Sequence, residues 1–127
     1  MDILESFNNQ KGFINHNGIK VTDVSNNVIA EVNLSDISNN PYGITHGGLI
    51  YALADTACGV HVFSKTNKKA VTLNSQINFL KPGTGSKLIA KTEDIKTGKN
   101  ISVIRCNIYD EKEQLISTCD CTYYFID

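Results

Sequence analysis

The segment from Gly47 to about Phe63 constrains the fold most strongly, because apolar residues recur in it at the spacing of an α-helix. Its main apolar stripe consists of Leu49, Ile50, Leu53, Ala57 and Val60. A second face carries Asp55 among the small residues Gly48, Ala52 and Gly59. A helix with so little polar surface must be covered on most sides, so we expect the rest of the chain to wrap around it.

Strand patterns flank this helix. A short helical segment around Ile3 to Phe13 is expected first, followed by strands at Ile19 to Val24 and Val28 to Leu34 that are joined at Asn26-Asn27. The strands expected after the helix are Ala70 to Leu80, Lys87 to Ile95, Ile101 to Tyr109 and Leu115 to Ile126. Their connections are short, which favours antiparallel neighbours. This order predicts an α+β fold in which an antiparallel β-sheet curls around one long central helix.

Length and charge limit the possible functions. The 127 residues fit one domain, spanning 1–127, and a composition of 41% hydrophobic and 20% charged residues is typical of globular proteins. A net charge of -1 lacks the basic surplus of a general nucleic-acid binder. No apolar run reaches the roughly 18 residues of a membrane span, and the opening MDILESFNNQ does not resemble a secretory signal. We expect a cytoplasmic protein that binds neither nucleic acid nor membrane.

The cysteines indicate core packing rather than metal binding. They are Cys58, Cys106, Cys119 and Cys121, which lack the paired spacing of a zinc site. On a strand, the last two would share a face with Leu115, Tyr123 and Phe125, as a buried stripe does. We therefore expect reduced thiols in the core, no metal site and no bound cofactor.

Two glycines, Gly47 and Gly48, open the long helix. Backbone N–H groups at a helix start have no helical partner, and the helix dipole places partial positive charge there. With no side chains in the way, these amides suit either a bound anion or an oxygen that gains negative charge during acyl transfer. The alternative is that the glycines only permit a tight turn and close packing.

Asp55 is an unusual residue for an apolar helix, because a buried carboxylate needs hydrogen bonds or a charged partner. Its small neighbours allow another backbone to approach closely, so we expect this face to contact something other than the chain's own sheet. The alternative is structural: Asp55 caps a neighbouring element or hydrogen-bonds to Tyr51. Asp55 is thus a candidate catalytic group with a structural alternative.

The spacing between Gly47 and Asp55 predicts an oligomeric site. They are eight residues apart, which is about 12 Å along a helix. One acyl carbonyl cannot touch both in the same chain, since an Asp side chain recovers only a few ångströms. If the two groups cooperate, Asp55 must come from a second copy, and two antiparallel helices would give a twofold dimer with two equivalent sites.

A family resemblance is carried by residues 40–48, which read NPYGITHGG, and residues 53–55, which read LAD. This motif resembles the signature of hotdog-fold acyl-CoA thioesterases, specifically the PaaI-like group of the phenylacetate pathway. The order of strands and helix is similar over nearly the whole chain. The resemblance implies one hotdog domain in which a sheet wraps a long helix. It also implies a homodimer with sheets paired edge to edge and shared active sites, and further association into a homotetramer.

The resemblance also implies roles for individual residues. The N–H of Gly47 would polarise the thioester carbonyl, and Asn40 would stand beside that carbonyl or the attacking water. Asp55 of the partner subunit would act as general base for water, or as a nucleophile that forms a mixed anhydride. His46 would brace the turn and, with Gly48, border the bound substrate.

Thr72 matches the hydroxyl residue that helps to place the water in this family. Alternation along the strand, however, puts Thr72 on a polar face. The apolar face expected to pack on the helix consists of Val71, Leu73, Ile77 and Phe79. Either the strand bulges or its polar side borders the site.

Hydrolysis of an acyl-CoA thioester to free acid and coenzyme A is the leading hypothesis. The alternative is a non-catalytic hotdog module that binds acyl-CoA. A hotdog hydratase or dehydratase ranks last, because His46 precedes the glycines while Asp55 lies far along the helix. The acyl group stays open, and flexible loop lysines are not assigned to the phosphates of coenzyme A.

Overall fold

The computed structural model describes residues 3–9 and 11–126, which form a six-stranded antiparallel sheet around one long helix. The helices are α1 (Ile3–Asn8), α2 (Phe13–His16) and α3 (Gly47–Thr66), with a 3-10 turn at Asp36–Ser38. The strands are β1 (Ile19–Asp23), β2 (Ile29–Asn33), β3 (Ala70–Phe79), β4 (Lys87–Thr97), β5 (Ile101–Asp110) and β6 (Leu115–Phe125). Across the sheet their order is β1-β2-β4-β5-β6-β3. The predicted α+β arrangement is confirmed.

The central helix α3 forms the core. Its buried residues are Ile50, Leu53, Ala54, Ala57, Cys58, Val60, His61 and Val62. Leu49, predicted in the same stripe, is only partly buried. The helix ends slightly later than predicted, at Thr66, where Asn67 takes a left-handed conformation (φ 55°) and donates its N–H to the Phe63 carbonyl. Within residues 3–9 and 11–126, no helix is long and apolar enough to cross a lipid bilayer.

The N-terminal segment covers one edge of the sheet. The single helix predicted there is instead two short helices, separated near Gly12, whose φ of 144° suits glycine best. The Asn8 side chain donates to the Val21 carbonyl at 2.7 Å and accepts from the Val21 N–H at 2.9 Å. These bonds satisfy part of the outer edge of β1. At the opposite edge, β3 pairs only with β6 among the described strands.

A bulge in β3 reverses the expected faces of its first half. Thr72 and Asn74 are opposite consecutive residues of β6, which leaves Leu73 without a partner. Thr72 consequently faces the helix, while Val71 and Leu73 are 46% and 58% exposed. Of the two alternatives left open, the bulged strand is confirmed, whereas the packing of Val71 and Leu73 on the helix is wrong because alternation assumes an unbroken register. Beyond the bulge, Ile77 packs against the core as predicted.

The cysteines are free thiols buried in the core. The Sγ atoms of Cys119 and Cys121 are 3.5 Å apart, on the buried face that also carries Tyr123. The hydrogen bond to Cys121 and burial both raise the pKa of the Cys119 thiol. Leu115 does not join this stripe, because β6 skips one pairing at Ile116 and Leu115 turns outward.

Truncation of a core residue of α3 should destabilise the whole fold. Leu53 is fully buried, so Leu53→Ala should lower the free energy of unfolding by about 2–5 kcal/mol through lost burial and the cavity left behind. Urea denaturation measures this. Ile37, which is 90% exposed, provides the control: Ile37→Ala should change the free energy of unfolding by less than about 0.5 kcal/mol. Similar losses in both variants would contradict a core centred on α3.

Candidate active site

Two hydroxyl groups of the sheet hold the carboxylate of Asp55, near the middle of α3. Thr72 Oγ1 donates to Asp55 Oδ1 at 2.9 Å, and Tyr123 Oη lies 2.8 Å from the same oxygen. The Tyr123 hydroxyl is also 2.8 Å from the main-chain carbonyl of Asp55. The face that carries Asp55 was expected to contact something other than the chain's own sheet, but its carboxylate contacts β3 and β6 of that sheet. Its donors are also different from Tyr51, the partner considered from the sequence.

Tyr123 is the residue that the sequence analysis missed. It appeared there only as part of the buried stripe of β6, and it is 3% exposed. The register places it directly opposite Thr72, so both hydroxyls point at the same turn of α3. A buried tyrosine hydroxyl normally needs a hydrogen-bond partner. That need was the one feature of the sequence that could have pointed to Tyr123. Burial and the negative charge of Asp55 raise the pKa of Tyr123, so its hydroxyl stays protonated and can donate.

Two cavities meet at Asp55. One, of about 500 Å³, lies between α3 and β3 and is bordered by Gly48, Tyr51 and Thr72. The other, of about 400 Å³, lies between α3 and the N-terminal helices. Its apolar walls include Phe7, Phe13, Ile14, Val60 and Val71. The carboxylate is therefore half-buried but reachable from two sides.

The first turn of α3 leaves one amide open. His46 is the N-cap: its Nδ1 accepts from the Gly48 N–H at 2.7 Å, which leaves the ring proton on Nε2. The His46 carbonyl accepts from the N–H groups of Leu49 and Ile50 at 3.0 and 3.3 Å. No residue in the described part of the chain accepts from the Gly47 N–H. The donor available to a ligand at this helix start is thus Gly47.

Gly47 lies in a different cavity from Asp55. This cavity, of about 340 Å³, is bordered by Ile50, Phe79 and Pro82. A Cβ atom on Gly47 would lie 3.3 Å from the Phe79 ring, so the ring packs directly on the glycine. Phe79 was predicted to pack along the helix; it instead meets the helix start and stays 52% exposed. Within one chain, the cavities of Gly47 and Asp55 are separate.

Asn40 shapes the loop before α3. Its Oδ1 accepts from the Tyr42 N–H at 2.9 Å, and its own N–H donates to the Ile44 carbonyl at 2.7 Å. No described residue accepts from its Nδ2 group. Asn40 therefore keeps donor capacity while its oxygen holds the loop.

Comparison with known proteins identifies the family. A model described as the thioesterase superfamily matches residues 42–117. The chain belongs to the thioesterase superfamily. As a member it is a thioester hydrolase with the hotdog fold, so the predicted fold, the predicted enzyme class and the resemblance to the PaaI-like group are confirmed.

Solved structures agree with this membership. Thioesterase HI1161 from Haemophilus influenzae is 26% identical and matches with a TM-score of 0.93 over 100% of this chain and 92% of that chain. The PaaI protein of the Escherichia coli phenylacetic acid degradation operon shares the fold at 21% identity, with a TM-score of 0.90 over 97% and 90%. A hypothetical thioesterase protein from Streptococcus pneumoniae TIGR4, solved with coenzyme A, is 26% identical with a TM-score of 0.79 over 85% and 88%.

The capping role of His46 is testable in this thioesterase. His46→Ala removes the acceptor of the Gly48 N–H and should lower the free energy of unfolding by about 0.5–2 kcal/mol. His46→Asn keeps a capping oxygen and should lose less than half of that amount. Urea denaturation of both variants measures the difference. Equal losses would show that the ring contributes something other than the cap.

Proposed function

We propose that this chain hydrolyses an acyl-CoA thioester to a free acid and coenzyme A at sites shared between two subunits. The observation that carries the proposal is the carboxylate of Asp55, which two hydroxyls hold at the meeting point of two cavities. The open N–H of Gly47 supplies the second half of the site. The related streptococcal protein solved with coenzyme A supports the choice of ligand.

The reaction needs a base and a donor to the carbonyl oxygen. In one route Asp55 accepts a proton from water, the water oxygen bonds to the thioester carbon, and the Gly47 N–H stabilises the oxyanion. The C–S bond then breaks, and the proton on Asp55 passes to the departing thiolate. In the other route Asp55 attacks the carbon directly, and coenzyme A leaves as the thiolate. Water then hydrolyses the mixed anhydride to the free acid and protonated Asp55, which passes its proton to the thiolate.

Two chains are required because the two halves of the site lie apart in one chain. Gly47 and Asp55 border separate cavities and are separated by about 12 Å of helix. The free edge of β3, with Val71 and Leu73 exposed, suits edge-to-edge pairing with a second copy. In the homodimer, Asp55 of each subunit meets Gly47 of the partner subunit. Such dimers associate further into a homotetramer.

The remaining residues support binding and orientation. The Nδ2 group of Asn40 donates to the carbonyl or to the water, and Thr72 helps to orient the water. His46 and Gly48 border the bound thioester, with His46 fixing the geometry of the helix start. The apolar cavity beside Phe13 and Ile14 suits an aryl or aliphatic acyl group rather than a charged one.

Removal of the carboxylate should abolish turnover. Asp55→Asn should lower kcat by about 10²–10⁴, because a general base or nucleophile is lost. The measurement is thiol release from a panel of aryl-CoA and fatty acyl-CoA thioesters. Asp120→Asn is the matched control, since Asp120 pairs with Arg105 on the sheet surface, and its kcat should stay within about twofold. Undiminished hydrolysis by Asp55→Asn would refute the mechanism, and wild-type protein that binds acyl-CoA without releasing thiol would indicate the non-catalytic module.

A mixed dimer should show whether the site is shared. Gly47→Pro replaces the N–H with a proline ring, and proline is tolerated at the first helical residue after the extended His46. A purified heterodimer of one Gly47→Pro chain and one Asp55→Asn chain retains one intact shared site, so it should show about half of the wild-type kcat. Both variant homodimers should be nearly inactive. An inactive heterodimer would place the whole site within one chain.

Gly47→Ala is the matched control for the proline variant. It keeps the N–H and brings a Cβ to the same distance from Phe79. Its kcat should exceed that of Gly47→Pro by about 10²–10³, the usual effect of one oxyanion donor. Equal activity of the two variants would mean that the N–H takes no part.

A further inference from the structure

We propose that Tyr123 is a positioning residue: together with Thr72 it holds Oδ1 of Asp55, so that Oδ2 is the oxygen that meets the water or the thioester. This inference rests on the proposed function. It assigns Tyr123 an effect on turnover, in addition to its place in the core, and it distinguishes the two oxygens of one carboxylate.

Both donors reach the same oxygen. Thr72 Oγ1 and Tyr123 Oη lie 2.9 and 2.8 Å from Oδ1. No donor to Oδ2 exists among the described residues. Two hydrogen bonds on one oxygen resist rotation of the carboxylate about its last torsion, which is otherwise broad. The lone pairs of Oδ2 are therefore free, in a fixed direction, for a proton or a carbonyl carbon.

The Tyr123 hydroxyl has one proton and two acceptors within reach. The charged carboxylate is the stronger acceptor, because hydrogen bonds to ionised groups are stronger than those to neutral carbonyls. The position of the ring is well defined because it is 3% exposed and its hydroxyl lies beside Gly59 of α3. Because the ring is held in place, its hydroxyl fixes the orientation of the carboxylate, as a preorganised site requires.

Thr72 alone cannot provide the same constraint. It is exposed and lies beside the unpaired Leu73 of the bulge, so its hydroxyl has more freedom than the buried ring. The two donors therefore differ in kind, one anchored in the core and one at the rim of the cavity. Loss of either one leaves the other to hold Oδ1, whereas loss of both frees the carboxylate to rotate.

The test is Tyr123→Phe, which removes one oxygen and keeps the ring. We expect kcat to fall about tenfold, the effect of losing one hydrogen bond to a charged group. KM should change much less than kcat, since both partners of the hydroxyl are atoms of Asp55. In the double variant Tyr123→Phe/Thr72→Val, kcat should fall by a factor larger than the product of the factors measured for the two single variants. Tyr124→Phe, on the exposed side of the same strand, is the matched control and should behave as wild type.

The outcomes are distinguishable. A purely structural hydroxyl would lower the melting temperature of Tyr123→Phe and leave kcat unchanged, which would overturn the inference. A double variant that loses only the product of the single losses would also overturn it, because the hydroxyls would then act separately. If Tyr123→Phe does not fold, the variants Thr72→Val and Thr72→Ser decide. Activity that is lost in Thr72→Val and kept in Thr72→Ser supports the fixed position of Oδ1, and equal activity of the two variants refutes it. Full activity of Asp55→Asn would instead refute the catalytic role of Asp55, and no thiol release by the wild-type protein would refute the proposed function.

Discussion

Burial of α3 inside a single curved sheet is the constraint on which the rest of the structure depends. The helix has so little polar surface that β2 to β6 must cover it. Coverage is incomplete at the helix start and along the side that faces β3 and the N-terminal helices. The open amide of Gly47 and the carboxylate of Asp55 lie at these two openings. Burial of α3 in the sheet is thus extensive but leaves this amide and this carboxylate accessible.

The bulge at Leu73 decides how the sheet contacts Asp55. An unbroken strand would turn Thr72 away from the helix and leave Asp55 with Tyr123 alone. With one extra residue, Thr72 faces inward directly opposite Tyr123, and both hydroxyls reach the carboxylate. A buried carboxylate is costly without such donors. A local irregularity of one residue thus adds a second donor to this half-buried carboxylate and orients it.

At the start of α3, three amides are hydrogen-bonded to His46 and one has no acceptor among the described residues. The His46 side chain accepts from the Gly48 N–H, and its main-chain carbonyl accepts from the N–H groups of the next two residues. Gly47 is left open beside the Phe79 ring, in a cavity of its own. This cavity and that of Asp55 are separate within one chain.

The sequence by itself determined the order of the strands and the central helix and the family, and it named Gly47 and Asp55 as candidates. Periodicity, glycine and proline placement and the motif NPYGITHGG are local properties, so they indicated α3, its glycine start and Asp55 without knowledge of contacts. The faces of β3 and β6 were not determined, because bulges at Leu73 and Ile116 arise from pairing with neighbouring strands. The bond between Tyr123 and Asp55 joins residues 68 positions apart. Only the tertiary structure could decide it, since register between distant strands sets which hydroxyl meets the carboxylate.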